Sequence, residues 1–192
     1  MSNPFIDRLN FFYKSTNQHG VHSPFVYSLV TKCFYDKSSY LEYKRIKKTV
    51  PKEQLSNKKA QLLFRLERYF NFKSVLLSQK TNRQITEALT IANPEIKTID
   101  ITDIKNNEQK LDLCYLETLD FSNFENQIEK LLSHTHNDSL LLIDKIHASA
   151  SSKKHWLSLK DHSKTTVTID TYSYGFVFFR KEQPKEHFVI RL

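Results

Sequence analysis

Residues 111–144 read LDLCYLETLDFSNFENQIEKLLSHTHNDSLLLID. The two ends of this stretch, LDLCYLE (111–117) and DSLLLID (138–144), are short and almost continuously apolar, the texture of strands buried on both faces. The segment Asn123–Ser133 between them reads as a helix. A buried strand, a helix and a second buried strand imply parallel pairing through a helical crossover. Working outward, the same alternation continues on both sides. Towards the N-terminus, IKTIDI (96–101) and SVLLS (74–78) read as strands, with a helix over Asn82–Ala92 that Asn93-Pro94 stops. Ahead of them, Ala60, Leu63, Leu66, Glu67 and Phe70 lie in a helix whose apolar side faces a sheet. Towards the C-terminus a helix over Ser151–Lys160 precedes TTVTID (165–170) and YGFVFFR (174–180). Only Thr171–Ser173 joins this last pair, so it must be antiparallel. The predicted architecture is α/β: a mostly parallel sheet, helices on both faces, and a C-terminal antiparallel hairpin.

The first 56 residues read differently. Asn3-Pro4 and Ser23-Pro24 each place a capping side chain before a proline at the first helical position. They predict two short helices joined by NQHGVH, with Gly20 expected to supply a positive φ. Phe25, Val26, Leu29 and Val30 form an apolar side expected to pack on the rest of the chain. His19 and His22 are expected to hold the turn against it. A polar, basic connection then runs to Ser56. This divides the chain into an N-terminal helical extension, 1–56, and an α/β domain, 57–192, built as one compact unit.

With 39% hydrophobic and 12% aromatic residues the chain is not disordered. Its longest apolar runs, Leu140–Ile143 and Phe176–Phe179, are far too short to span a bilayer. The start MSNPFIDRLNFFY carries no export signal, so a cytoplasmic protein without a membrane partner is expected. Cys33 and Cys114 sit among apolar residues as free thiols, with no disulfide framework or zinc motif. The net charge is +8, and Lys44–Lys59 holds seven Lys/Arg against Glu53. A solvated linker and helix face accounts for such a run; contact with nucleic acid is the alternative. The chain has only two glycines, Gly20 and Gly175. A loop that closes its backbone over a phosphate or nucleoside cannot be written from them.

HGVHSPFVY (19–27), KKAQLLFRLERYF (58–70) with the strand and helix after it, LLIDKIHAS (141–149) and VFFRKEQPKEHFVIRL (177–192) together resemble a bacterial O-methyltransferase-like group of class I SAM-dependent methyltransferases. The resemblance implies a Rossmann-like sheet of the kind just described. It also implies an acidic residue and a glycine-rich turn, E-x-G-x-x-x-G, after the first strand. The matching stretch here is LLSQKTNRQ (76–84). Leu77 stands for the acid, and Gln79 and Arg83 stand at the glycine positions, where their side chains would enter the nucleoside space. Asp100 matches the acid that holds the ribose hydroxyls. The family then has another helix and strand, for which the nine residues TDIKNNEQK (102–110) are too few. The adenine-side piece is therefore expected to be missing, leaving a smaller sheet.

Glu117 and Asp144 fall at strand ends, where α/β sheets keep their ligands. Asp144, Lys145 and His147 are the candidates for acid–base chemistry. Lys145 stands where relatives imply a second acid for a divalent metal; it is expected to neutralise Asp144, so no metal is expected. His134 and His136, in a polar helix-to-strand connection, have no metal-site spacing. The resulting expectation is a methyltransferase-like protein without catalytic activity or bound cofactor, acting through binding or an unidentified protein partner. The alternatives are an active SAM-dependent O-methyltransferase with an atypical cofactor loop, and a nucleic-acid-associated basic protein.

Overall fold

The computed structural model describes residues 4–49, 55–77, 83–100, 109–119 and 123–192. The expected cap at Asn3, the loop residue Gln79 and most of the 102–110 bridge lie outside the described residues. Seven strands form one sheet: β1 (Ser74–Leu77), β2 (Lys97–Asp100), β3 (Leu111–Leu116), β4 (Thr135–Asp144), β5 (Val167–Asp170), β6 (Tyr174–Phe178) and β7 (Glu186–Val189). Their spatial order is β2-β1-β3-β4-β6-β5-β7. Only β6 runs against its neighbours, facing β4 and β5 antiparallel; every other pairing is parallel. The α/β part contains α4 (Asn57–Phe70), α5 (Arg83–Ala92), α6 (Phe124–Ser133) and α7 (Ala150–Asp161), preceded by α1 (Pro4–Lys14), α2 (Pro24–Leu29) and α3 (Glu42–Thr49).

The central strands are apolar at successive positions because they send alternate side chains into two separate cores. Leu140 and Leu142 of β4, Tyr115 of β3 and Phe176 of β6 face one side. They pack there with Val26 and Leu29 of α2, Ile46 of α3, Leu63 and Leu66 of α4, and Leu89 of α5. Leu141, Ile143, Cys114 and Val177 face the other side, against Ile128 and Leu131 of α6 and Trp156 and Leu159 of α7. Removing each such side chain from water contributes roughly 1.5–3 kcal/mol. Burial also pushes the thiols of Cys33 and Cys114 up to about 12, so both behave as small apolar groups.

Helices α2 and α3 belong to the first of these cores. The Ser23 hydroxyl accepts from the Val26 backbone N–H and caps α2, which continues through a π-helical turn at Val30–Phe34. Phe25 meets Phe178 edge-on with ring centroids 5.0 Å apart, so the predicted apolar side is covered by the chain itself.

Several expectations are corrected. Gly20 does not have positive φ. It is needed for close approach, since a Cβ there would lie 2.0 Å from the Thr16 hydroxyl oxygen. His19 and His22 are exposed and do not pack the turn. Thr16 does so instead, through backbone bonds with Val189 and Arg191. The basic connection contains α3, which has a single buried residue, Ile46, and so little periodic signal. Glu186–Val189, within the tail that carried part of the resemblance, adds a strand beside β5. β4 begins at Thr135, which puts His136 inside a strand rather than in a connection.

The His136 Nε2–H donates to Asp112 Oδ1 at 3.0 Å, while Asp112 Oδ2 accepts from the backbone N–H groups of Lys73 at 2.7 Å and Ser74 at 2.9 Å. Burial would raise the Asp112 pKa, but these bonds from Ser74, Lys73 and His136 together hold it below the ordinary carboxylate value. Its ionised form is thus favoured by folding. The stabilisation is complete above the unfolded-state pKa, near 4, and disappears as pH falls through the lower folded value. Asp112→Asn should cost about 1–2 kcal/mol at neutral pH and flatten the acid limb of a stability–pH curve. An unchanged acid limb would show that Asp112 does not tie β1 to β3.

Candidate functional site

Parallel strands in matched register end together. Leu77 pairs with Asp100, and Leu116 with Ile143, so Leu77, Asp100, Glu117 and Asp144 are brought to one edge of the sheet. Beside them Tyr174 faces Asp144 across the antiparallel β4–β6 pair. This is the edge at which an α/β sheet places ligands.

The residues there do different things. Leu77 is buried, 7% exposed, as part of the first core. Asp100 ends β2 and is half-buried. Arg83 begins α5 and turns to solvent, with its Nε 3.0 Å from Glu87 one turn on. Helical i,i+4 pairing offers it a partner without desolvation.

Asp144 is buried, and its Oδ1 accepts from Lys59 Nζ at 2.6 Å. The same ammonium lies 4.7 Å from the centre of the Tyr174 ring. Lys59 stands in the first turn of α4, placed by the Ser56 cap, whose hydroxyl accepts from the Lys59 backbone N–H. Tyr115 and Tyr174 lie alongside. Burial first, then the carboxylates of Asp144 and Glu117, pushes the Tyr115 phenol far above its ordinary value. Burial, then Tyr115 and Asp144, does the same to Tyr174. Both phenols are therefore neutral at physiological pH and able only to exchange hydrogen bonds.

Lys145 does not neutralise Asp144. Its backbone is left-handed, φ 58°, and its N–H donates to the Ser173 carbonyl at 2.9 Å. That turn carries the side chain out to solvent. Nor does His147 join Asp144: its Nε2 lies 2.8 Å from Asp170 Oδ2, and its ring stacks on Tyr172. The three candidates thus separate into a Lys59–Asp144 pair, an exposed lysine and a His147–Asp170 pair. Lys59, Tyr174 and Asp170 carried no sequence signal. Lys59 precedes its partner by 85 positions, and no local spacing can announce such a contact.

His134 is buried, with Nδ1 3.0 Å from the Gln109 carbonyl, at the opposite end of the strands. Among the described residues no three of His, Cys, Asp and Glu converge to hold a metal ion. No helix of the described residues is long and apolar enough to cross a membrane. The side chains of Lys44, Arg45, Lys47 and Lys48 all stand exposed on α3, a basic surface remote in kind from the buried pair at the sheet edge.

Comparison with solved structures finds the same arrangement elsewhere. The O-methyltransferase TomG of Streptomyces achromogenes, solved in complex with SAM, matches with a TM-score of 0.52 at 9% identity, covering 74% of this chain and 91% of that one. The fold is that of the SAM-dependent O-methyltransferases. The SAH-bound methyltransferase PaMTH1 of Podospora anserina matches at 0.52 and 10% identity, covering 94% of this chain and 97% of that one. Cofactor-bound Rv0187 from MTB matches at 0.53 and 10% identity, covering 95% and 100%. No family model and no curated protein sequence matches the chain. Identity this low establishes a shared fold, and fold alone does not assign chemistry.

At the strand end where the resemblance expects an acid, the buried Leu77 stands instead. Among the described residues no glycine has the positive φ that a closing loop uses.

Proposed function

We propose that this protein is a methyltransferase-fold protein without methyltransferase activity, which acts by binding. The observation that carries the reading is the Lys59–Asp144 pair. The carboxylate best placed at the sheet edge for base chemistry or metal binding is buried and already neutralised by a lysine from the same chain. A paired, desolvated carboxylate accepts a proton or a cation only after that contact is broken, and breaking a buried pair is costly. Leu77 adds to this by putting an apolar side chain at the neighbouring strand end. In the sequence, Gln79 and Arg83 stand where the resemblance expects glycines, which adds to it.

The second reading is an active O-methyltransferase with an atypical loop. Asp100 supports it, since that residue ends β2 at the register where the resemblance expects a ribose-binding acid. Calorimetric titration with SAM and with its demethylated product separates the two. Affinity no tighter than about 1 mM, roughly −4 kcal/mol, is expected for both ligands. Micromolar binding of either one would overturn the reading in favour of the enzyme.

A further inference from the structure

Helix α1 carries an apolar face that the rest of the described chain does not cover. At 3.6 residues per turn, Ile6, Leu9, Phe12 and Tyr13 fall within an arc of about 120°. They are 53%, 53%, 47% and 92% exposed. The opposite side of the helix holds it in place. Phe11 is buried there edge-on to Tyr172, with ring centroids 5.4 Å apart, and Asp7 accepts from Lys153 of α7. Among the described residues eight large apolar side chains are exposed, and four of them stand on this one helix. A fifth, Leu157 of α7, lines the same cleft as Asn10 and Lys14. Such a grouping, unlike single exposed residues, marks a contact surface.

The charges around this face do not cancel. Asp7 is the only acid in residues 1–35, and Lys153 neutralises it. Arg8, whose guanidinium lies 5.8 Å from the centre of the Phe12 ring, and Lys14 flank the apolar arc on its two sides. Helix α7 adds Lys153, Lys154 and Lys160 against Asp161. Lys14, Lys153 and Lys160 line the cleft beside Leu157, where the two carboxylates, Asp7 and Asp170, are paired with Lys153 and His147. Arg8, Lys14 and Lys160 lie within ion-pair distance of no carboxylate among the described residues. An occupant with an apolar interior and a negative surface complements such a face. A second copy of the chain would instead bring together two net charges of +8. The face is also the convex side of a single helix, which offers no groove to a partner's side chains. A fluid bilayer boundary takes up such a face without one.

We propose that α1 docks this protein on an anionic lipid surface, with Ile6, Leu9, Phe12 and Tyr13 in the headgroup–acyl boundary and Arg8, Lys14 and Lys160 against lipid phosphates. Interfacial helices combine these two attractions, and aromatic rings favour that depth. The helix lies on the bilayer and does not cross it. Crossing takes about 20 apolar residues, whereas α1 has 11 residues in all. The expectation of no membrane partner rested on the shortness of the apolar runs, and an interfacial helix needs only one apolar face. The inference goes beyond the loss of SAM binding and does not depend on it, because no residue of the sheet edge takes part.

Co-sedimentation of the full chain with vesicles tests this, using phosphatidylcholine alone and an equimolar mixture of phosphatidylcholine and phosphatidylglycerol. Partitioning onto the mixed vesicles should be at least about tenfold stronger and should weaken as salt is raised. Leu9→Ser combined with Tyr13→Ser should weaken it about tenfold or more. Arg8→Gln with Lys14→Gln should weaken it several-fold and flatten its salt dependence. Leu41→Ser, 81% exposed ahead of α3, should leave it unchanged. All five residues are exposed, so these variants fold, and their urea midpoints should match the parent's. Equal partitioning onto phosphatidylcholine alone, no partitioning onto either vesicle, or undiminished partitioning of the Leu9→Ser/Tyr13→Ser variant would each overturn the proposal. So would a parent dimer that the same double variant turns into a monomer, which would assign the face to a second copy. The SAM titration reports separately on the crevice.

Discussion

Lys59→Met should destabilise the protein by about 2–4 kcal/mol, although it removes only one charge and keeps most of the side-chain volume. The substitution leaves Asp144, 6% exposed, without its cation in an apolar surrounding. Breaking a buried pair from one side costs about 3–5 kcal/mol. The lower figure is used here because the Lys59 side chain remains 28% exposed and part of the pair's field is screened by water. Methionine preserves contact with the Tyr174 ring, so the loss measures charge rather than packing. The companion variant Lys59→Met/Asp144→Leu should recover most of the loss, since an apolar pair of similar volume carries no desolvation penalty. Urea unfolding of the two variants and the parent decides it. A single variant within about 0.5 kcal/mol of the parent would mean that Asp144 is not held by Lys59, and the reading of a self-neutralised site would fall with it.

Gly175→Val should be still more disruptive, costing about 3 kcal/mol or more and leaving little folded protein at 37 °C. Gly175 lies in β6, paired with Ile143 on one side and Asp170 on the other. Even a Cβ there would lie 2.7 Å from Trp156 Cζ3 and 2.8 Å from Ile146 Cγ2. Both neighbours are buried, and an indole cannot swing away as a flexible side chain can. Gly175→Ala should cost about 1–3 kcal/mol by the same contact. Trp156→Leu in the Gly175→Ala background should recover part of that cost, a coupling that a double-mutant cycle measures. Additive effects of the two substitutions would show that the glycine is needed for some other reason.

The strands and the α/β helices were legible because their signal is local. A strand buried on both faces must be apolar at successive positions, as Leu140–Ile143 is, and a three-residue connection at Thr171–Ser173 leaves only an antiparallel neighbour. The Ser23-Pro24 start of α2 was legible for the same reason, since a cap and a fixed φ act within one turn. Helix α3 was not, because EYKRIKKT has one buried side chain and its charges dominate the pattern. Strand β7 was not, because Glu186–Val189 is only half-buried and owes its place to a parallel partner already built. The turn by itself suggests a positive φ at Gly20, whereas the glycine is required by close approach to Thr16, which backbone bonding to Val189 holds in place.

At the candidate site the sequence by itself determined which acids stand at strand ends, because strand ends follow from strand boundaries: Asp100, Glu117 and Asp144 are there. It also determined that glycines are absent from the stretch after β1. What each acid faces was decided only by the tertiary structure. Asp144 meets Lys59 from a helix far back in the chain, the left-handed backbone at Lys145 sends the neighbouring lysine to solvent, and Asp170 takes His147. Ion pairing depends on distance in space. Adjacent residues at the end of a strand point apart, while packing α4 against the sheet carries a distant ammonium to the carboxylate.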